Sequence, residues 1–196
     1  MLVAQGQAGG TTWQARAQLW PHPETMGQAL AQQEKWPAKQ RNTELASPSP
    51  GHPMADRSPA ERLRLIYPPG TDTVRVFLTV AGTETESSAS RVPSPDGRPP
   101  GPTGGGAGRS LEGSLLGVKG GGAGGVPVLV APVGPDVARV VAAWSDGTST
   151  EAVPVVLGDS PMRWIGLPGK PGVQATSVRL LGAGGAVLAT DTQWFH

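Results

Sequence analysis

Val137-Ala138-Arg139-Val140-Val141-Ala142-Ala143-Trp144-Ser145-Asp146-Gly147-Thr148-Ser149-Thr150-Glu151-Ala152-Val153-Pro154-Val155-Val156 reads as two extended runs around one turn. Its first half is β-branched and apolar, and the segment from Thr150 returns to a Val-rich end. Ser145-Asp146-Gly147-Thr148 is the hinge, because Asp-Gly suits the positive φ of a tight hairpin turn. This stretch sets the fold class, and the surrounding sequence repeats its form. Before it, Val126-Pro127-Val128-Leu129-Val130 predicts a strand with Pro near its start. After it, Arg163-Trp164-Ile165-Gly166-Leu167 predicts another. Ala175 to Leu181 and Gly185 to Thr190 predict a closing hairpin around Gly182-Ala183-Gly184-Gly185.

The first half is less regular. Thr12 to Trp20 alternates, with Trp13, Ala15, Ala17 and Leu19 on one face, and Gly9-Gly10 is placed to turn it back onto residues 2–5. Thr73 to Val80 is its clearest strand, with Val74, Val76, Leu78 and Val80 on one face and Arg75, Phe77 and Thr79 on the other. Between these lie two helix signals. Thr25 and Gln28 have capping-box spacing before a stripe of Met26, Leu30 and Gln33 that Pro37 stops. Ser58-Pro59-Ala60-Glu61 is a second capping box, with Pro at the first helical position. The alternation of Arg62-Leu63-Arg64-Leu65 after it predicts one helical turn passing into an extended segment.

Several short strands with turn signals every ten or so residues predict a mainly β fold: a β-sandwich, immunoglobulin-like or open-barrel-like, with one or two short helices. Residues 1–92 form an N-terminal β-rich part containing a Pro/Ser-rich loop near 38–60. Residues 93–125 form a Gly-rich linker, with 13 Gly in the 29 positions from Gly97 to Gly125. Such a tract buries too little to offset its backbone entropy, so a mobile loop is expected, with Ser114 to Val118 able to dock as a short strand. Residues 126–196 complete the sandwich.

Composition narrows the function classes. The chain has 196 residues, of which 29 are Gly and 21 Pro, and it has no Cys. There is therefore no disulfide framework, thiolate nucleophile or Cys-ligated metal. Sixteen basic and 15 acidic residues leave a net charge of +1, which gives no reason to expect nucleic acid as partner. No apolar run is long enough to span a membrane, and Met1-Leu2-Val3-Ala4-Gln5 is not a signal-peptide start. The 12 Arg against 4 Lys, with abundant Ala, Gly, Pro and Val, match the usage of a high-GC bacterial genome.

The chemistry-bearing residues read mostly as structure. Gly120 to Gly125 fits G-x-G-x-x-G, but the extended Val126-Pro127-Val128 follows it instead of a helix. His22 and His52 sit beside Pro in loops, and His196 is the last residue. No two His have metal-ligand spacing. Glu84 and Glu86, two apart, are placed to share one face, but Thr and Ser surround them and they read as a solvated acidic loop. Asp72, Asp136 and Asp146 lie in turns, where Asp bonds nearby backbone. No catalytic, cofactor or metal site is predicted.

Two features have the chemistry of a binding surface. Arg75, Arg139 and Arg179 recur in an echoed pattern (Asp72-Thr73-Val74-Arg75-Val76, Asp136-Val137-Ala138-Arg139-Val140, Ser177-Val178-Arg179-Leu180), each between apolar neighbours. On adjacent strands they would make a basic face for an anionic partner; taken singly, each would lay its stem over the sheet. Six Trp supply most of the aromatic content. Trp144 and Trp164 are the pair best placed for an exposed stacking platform, although large aromatics also build cores.

Val3-Ala4-Gln5-Gly6 with Gly10-Thr11-Thr12-Trp13, then Val133 to Val140, Trp144 to Thr148 and Val178 to Gly185, carry a resemblance. Over about 80 of the 196 positions the chain resembles the extracytoplasmic β-rich part of uncharacterised actinobacterial membrane-anchored proteins. The resemblance implies a short basic cytoplasmic tail and one transmembrane helix upstream, with the chain starting where the anchor ends. It implies no catalytic residues. The expectation is a non-enzymatic extracytoplasmic interaction or sensor domain that recognises a protein or cell-envelope glycan, with the cytoplasm as the other open address. The alternatives are a glycan- or cell-wall-binding module using exposed Trp, and a virion or assembly protein of a high-GC phage.

Overall fold

The computed structural model describes residues 1–8, 10–38, 41–95, 113–117 and 127–192. The mobile loop expected over 97–125, apart from 113–117, lies outside the described residues, as do the Gly120–Gly125 motif, Trp194 and His196.

Among the described residues, twelve strands form three four-stranded antiparallel sheets. The first sheet has the order β1-β2-β3-β4, from β1 (Leu2–Ala8), β2 (Thr11–Trp20), β3 (Thr71–Val80) and β4 (Thr83–Pro93). The middle sheet has the order β5-β6-β10-β9, from β5 (Ser114–Leu116), β6 (Val128–Val133), β9 (Val155–Val156) and β10 (Arg163–Pro168). The third has the order β12-β11-β7-β8, from β7 (Arg139–Trp144), β8 (Ser149–Ala152), β11 (Ala175–Leu181) and β12 (Val187–Asp191). The expected sandwich-type β fold is present, built from three sheets, none of which closes into a barrel among the described residues.

Side-chain alternation explains the layering. On β6, Val128 and Val130 enter one core, with Ala15, Ala17, Val74 and Val76 of the first sheet. The intervening Leu129, Ala131 and Val133 enter the other, with Val140, Ala142, Val178 and Leu180 of the third sheet. On β10, Trp164 faces the first core while Ile165 and Leu167 face the second. The middle sheet is thus buried on both faces, which is why β6 and β10 are apolar almost without interruption. Gly166 lies on the face of β10 toward β1, where a Cβ would come within 2.4 Å of the Ala4 Cβ. Its missing side chain lets the first sheet close onto the middle one.

The chain between β2 and β3 forms a helical insertion. α1 (Met26–Glu34) begins with the predicted capping box between Thr25 and Gln28. A 3-10 turn follows at Thr43–Leu45. α2 (Pro59–Ile66) begins with the predicted box between Ser58 and Glu61. The expectation that α2 would pass into an extended segment after one turn is corrected: the helix runs to Ile66. Leu63, Ile66 and Tyr67 then pack with Ala29 and Leu45 in a separate small core, and this helical spacing overrides the local alternation. Buried Gln33 links the three pieces: its amide donates to the Tyr67 hydroxyl (3.1 Å) and accepts the Asn42 N–H (2.8 Å).

A second correction concerns β4. The segment read as a solvated acidic loop is an edge strand of 11 residues, paired with β3 along its length. The two-residue turn Ala81-Gly82 makes the connection with positive φ at both positions, +50° and +81°.

Candidate interaction surface

The third sheet has one face in the core and one outward. Val140, Ala142, Val178 and Leu180 point inward, so Arg139, Val141, Arg179 and Leu181 belong to the outer face. Register places Arg179 opposite Val141 and Leu181 opposite Arg139, so the two arginines are diagonal neighbours on adjacent strands. Glu151 of β8 lies on the other side of Val141, and Thr190 of β12 beyond Arg179. Arg139 and Arg179 are both exposed. Arg139 reaches Glu151 at 3.4 Å, with both side chains about half exposed, a contact that solvent and salt weaken. Arg179 takes part in no ion pair among the described residues. Val141 and Leu181 are buried between these charges, and Val187 opposite Leu181 is exposed.

The third arginine of the echo is elsewhere. Arg75 lies on β3 of the first sheet, only 6% exposed. Its guanidinium pairs with Glu84 across the β3–β4 ladder and lies 4.6 Å from the centroid of the Phe77 ring. Arg75 therefore holds the β3–β4 hairpin together and is not part of a shared basic face.

Trp144 and Trp164 are 3% and 1% exposed, in different cores. Trp144 donates its indole N–H to Thr150 Oγ1 at 2.8 Å. An exposed stacking pair at these two positions is corrected to two core anchors, one on each side of the middle sheet, because the layered packing covers both ring systems. Trp13, Trp20 and Trp36 are also buried. Trp20 and Trp36 contact each other with centroids 6.2 Å apart, and the Lys35 ammonium lies 5.9 Å from the Trp20 ring centroid.

The acidic residues are committed to structure. Register shifts between Leu78 and Thr79, leaving Thr85 as the extra residue of a β-bulge. Glu86 stands opposite inward-facing Leu78, while Glu84 stands opposite outward-facing Thr79. The two carboxylates therefore lie on opposite faces instead of sharing one. Glu86 accepts the Gly117 N–H at 2.6 Å, tying β4 to the segment after β5. Asp72 is buried and accepts the His22 N–H at 2.9 Å. His52 lies 3.7 Å from Glu44 and accepts the Met54 N–H at 3.2 Å. Among the described residues, no three His, Asp or Glu side chains are grouped to hold a metal ion.

One contact has no signal in the local sequence. Asp146 at the β7–β8 turn bonds the Lys170 ammonium at 2.7 Å and the Thr148 N–H at 3.0 Å. The Lys170 bond, followed by those from Thr148, lowers its carboxyl to about 2. The turn chemistry of Asp-Gly was legible, but a partner 24 residues away was not. No helix among the described residues is long and apolar enough to cross a membrane. No family model, curated protein or solved structure matches the chain.

Proposed function

We propose that this chain is a non-enzymatic interaction domain that recognises an acidic protein segment on the outer face of its third sheet. The carrying observation is the exposed diagonal pair Arg139 and Arg179, set on a sheet whose other face is fully used by the core. Two cations on a rigid sheet, flanking Val141 and Leu181, present charge at low ordering cost. Arg also binds carboxylates through a planar fork of donors. A non-enzymatic reading fits the employment of Glu84, Glu86 and Asp72 in structural bonds. The address we propose is the actinobacterial cell envelope, in a membrane-anchored protein, and it rests on the sequence resemblance alone.

The test is a titration of isotope-labelled protein with Glu/Asp-rich and matched neutral peptides, followed by amide chemical shifts. The acidic peptides are expected to shift β7 and β11 amides, with an effect that weakens as salt is raised. The Arg139→Glu/Arg179→Glu variant is expected to abolish the shifts. Equal response to neutral peptides, or shifts centred on another sheet, would defeat the proposal.

A further inference from the structure

Trp20 ends β2 on the outer face of the first sheet. Ala15 and Ala17 point into the core and Leu19 packs against it, so Trp20 faces the other way, opposite Thr73 of β3. A ring that faces out at a strand end ordinarily meets solvent. Trp20 is only 9% exposed, because the end of α1 lies over it. Trp36 contacts the Trp20 ring with the two planes 59° apart, and the Lys35 ammonium lies over the same ring. Neither Trp20 nor Trp36 belongs to any of the three hydrophobic cores. The helical insertion therefore covers one end of this face through an aromatic pair that stands apart from every core.

The seam is poorly satisfied. The indole nitrogens of Trp20 and Trp36, Gln32 Oε1 and His22 Nδ1 are buried without a hydrogen-bond partner among the described residues. Closing the seam strips water from four polar groups and returns no bond to them, which opposes the gain from packing the two rings. Gln32 does donate from its amide nitrogen at 2.7 Å, but to the Pro21 carbonyl, in the linker and not in the sheet. The other end of the insertion is fastened. Arg91 donates to the Ile66 carbonyl at 2.7 Å, and the Ser94 N–H to the Gly70 carbonyl at 3.0 Å. Gly70, between α2 and β3, has φ +76°. α1, the 3-10 turn and α2 share one small core and the Gln33 bonds, which makes them a single body.

We infer that the helical insertion is a hinged cap on the first sheet: it pivots about Pro68–Gly70 and lifts at the Trp20–Trp36 seam while the three sheets stay folded. Lifting lets water pair the four unmet groups and uncovers both indole rings. A partner that engages those rings binds only the open state and shifts the balance toward it.

Indole N–H exchange with solvent, resolved for each Trp by NMR and assigned with Trp→Phe variants, tests this on the whole chain. Trp164 is the control, since its indole nitrogen is also buried without a partner but lies inside the sandwich core. Trp20 and Trp36 are expected to share one protection factor, at least about tenfold below that of Trp164. Low urea should quicken Trp164 more steeply than the seam pair, because global unfolding exposes more surface than lifting the cap. Trp36→Ala removes the contact that holds the seam. It is expected to quicken Trp20 exchange at least about tenfold and to leave Trp164 within about twofold of its original rate. Trp20 and Trp36 as protected as Trp164 would overturn the inference. So would unequal protection of the two, because a lifting cap frees both at once. A Trp36→Ala protein in which Trp164 quickens as much as Trp20 would also overturn it, since the insertion would then open only with the sheets. If Trp36→Ala does not fold, the protection and urea dependence of the unmodified chain decide.

Discussion

Replacing Gly166 by Ala tests how the first and middle sheets are joined. Gly166 has no positive φ and sits inside β10, so its backbone is one that alanine adopts. Without a steric obstacle, Gly→Ala here would stabilise by about 0.4–1 kcal/mol through the unfolded chain. The obstacle is specific. An added Cβ would lie 2.4 Å from the Ala4 Cβ and 3.4 Å from the Ala4 nitrogen. Optimal carbon–carbon contact is about 3.5–4.0 Å, so the methyl is roughly 1 Å too close, and neither methyl has a rotamer that avoids the other. Overpacking of this kind costs about 1–3 kcal/mol. A clash of this size between two backbone-fixed methyls takes the upper part of that range, about 2–3 kcal/mol, so after the unfolded-state gain the net loss is about 1–2.6 kcal/mol. For a chain of this size that lowers Tm by about 2–10 °C. Urea unfolding followed by Trp fluorescence measures it, since the described Trp residues are buried. Ala4→Gly removes the opposing methyl, so the double variant should recover at least about 0.5 kcal/mol relative to additivity. A Gly166→Ala protein as stable as the parent, or strictly additive single variants, would refute the close approach of β1 to β10.

Four further outcomes are expected. The Asp146 carboxyl titrates near 2 in the folded chain against an ordinary value of 3.8, so the unfolded state takes up its proton first as pH falls. Its stabilising contribution is complete above about pH 4 and is lost toward pH 2, and Asp146→Asn should flatten the urea-midpoint profile in that window. Ala81→Asn should raise stability by up to about 1 kcal/mol in thermal unfolding, because Asn tolerates the positive φ that Ala81 now adopts at +50°. Leu45→Ala, at a fully buried position, should cost about 2–5 kcal/mol. Amide exchange should then quicken in α1 and α2 more than in β2 and β3, because Leu45 belongs to their separate core. Ser58→Ala removes the α2 cap and should cost about 0.5–2 kcal/mol in urea unfolding.

The contrast between α1 and β4 shows what sequence signals carry. Thr25 and Gln28 fix the start of α1 by bonds made within four residues, so the pattern alone locates it. β4 lacks any comparable local signal. Its Thr, Ser and Glu side chains show no apolar alternation, and the Ala81-Gly82 turn lacks the Asn or Asp that marks a type I′ hairpin. Its strand character comes from the ladder with β3 and from the Arg75–Glu84 pair. On the candidate surface, alternation placed Arg139 and Arg179 opposite the apolar face of their strands. It placed Arg75 the same way, yet Arg75 became a buried structural group.

The sequence by itself determined the β class, the faces of β2, β3, β7 and β11, the two capped helix starts and the Asp146-Gly147 hairpin. Each depends on residues within a few positions of one another. Tertiary structure alone decided that β6 pairs with β10 and β7 with β11, and that three sheets stack instead of two. It also decided that Trp144 and Trp164 are core anchors and that only two of three echoed arginines share a face. The physical reason is that period-two alternation reports which residues lie together on a strand. What covers each face depends on contacts between segments far apart in the chain, and the missing side chain of Gly166 matters only once Ala4 lies against it.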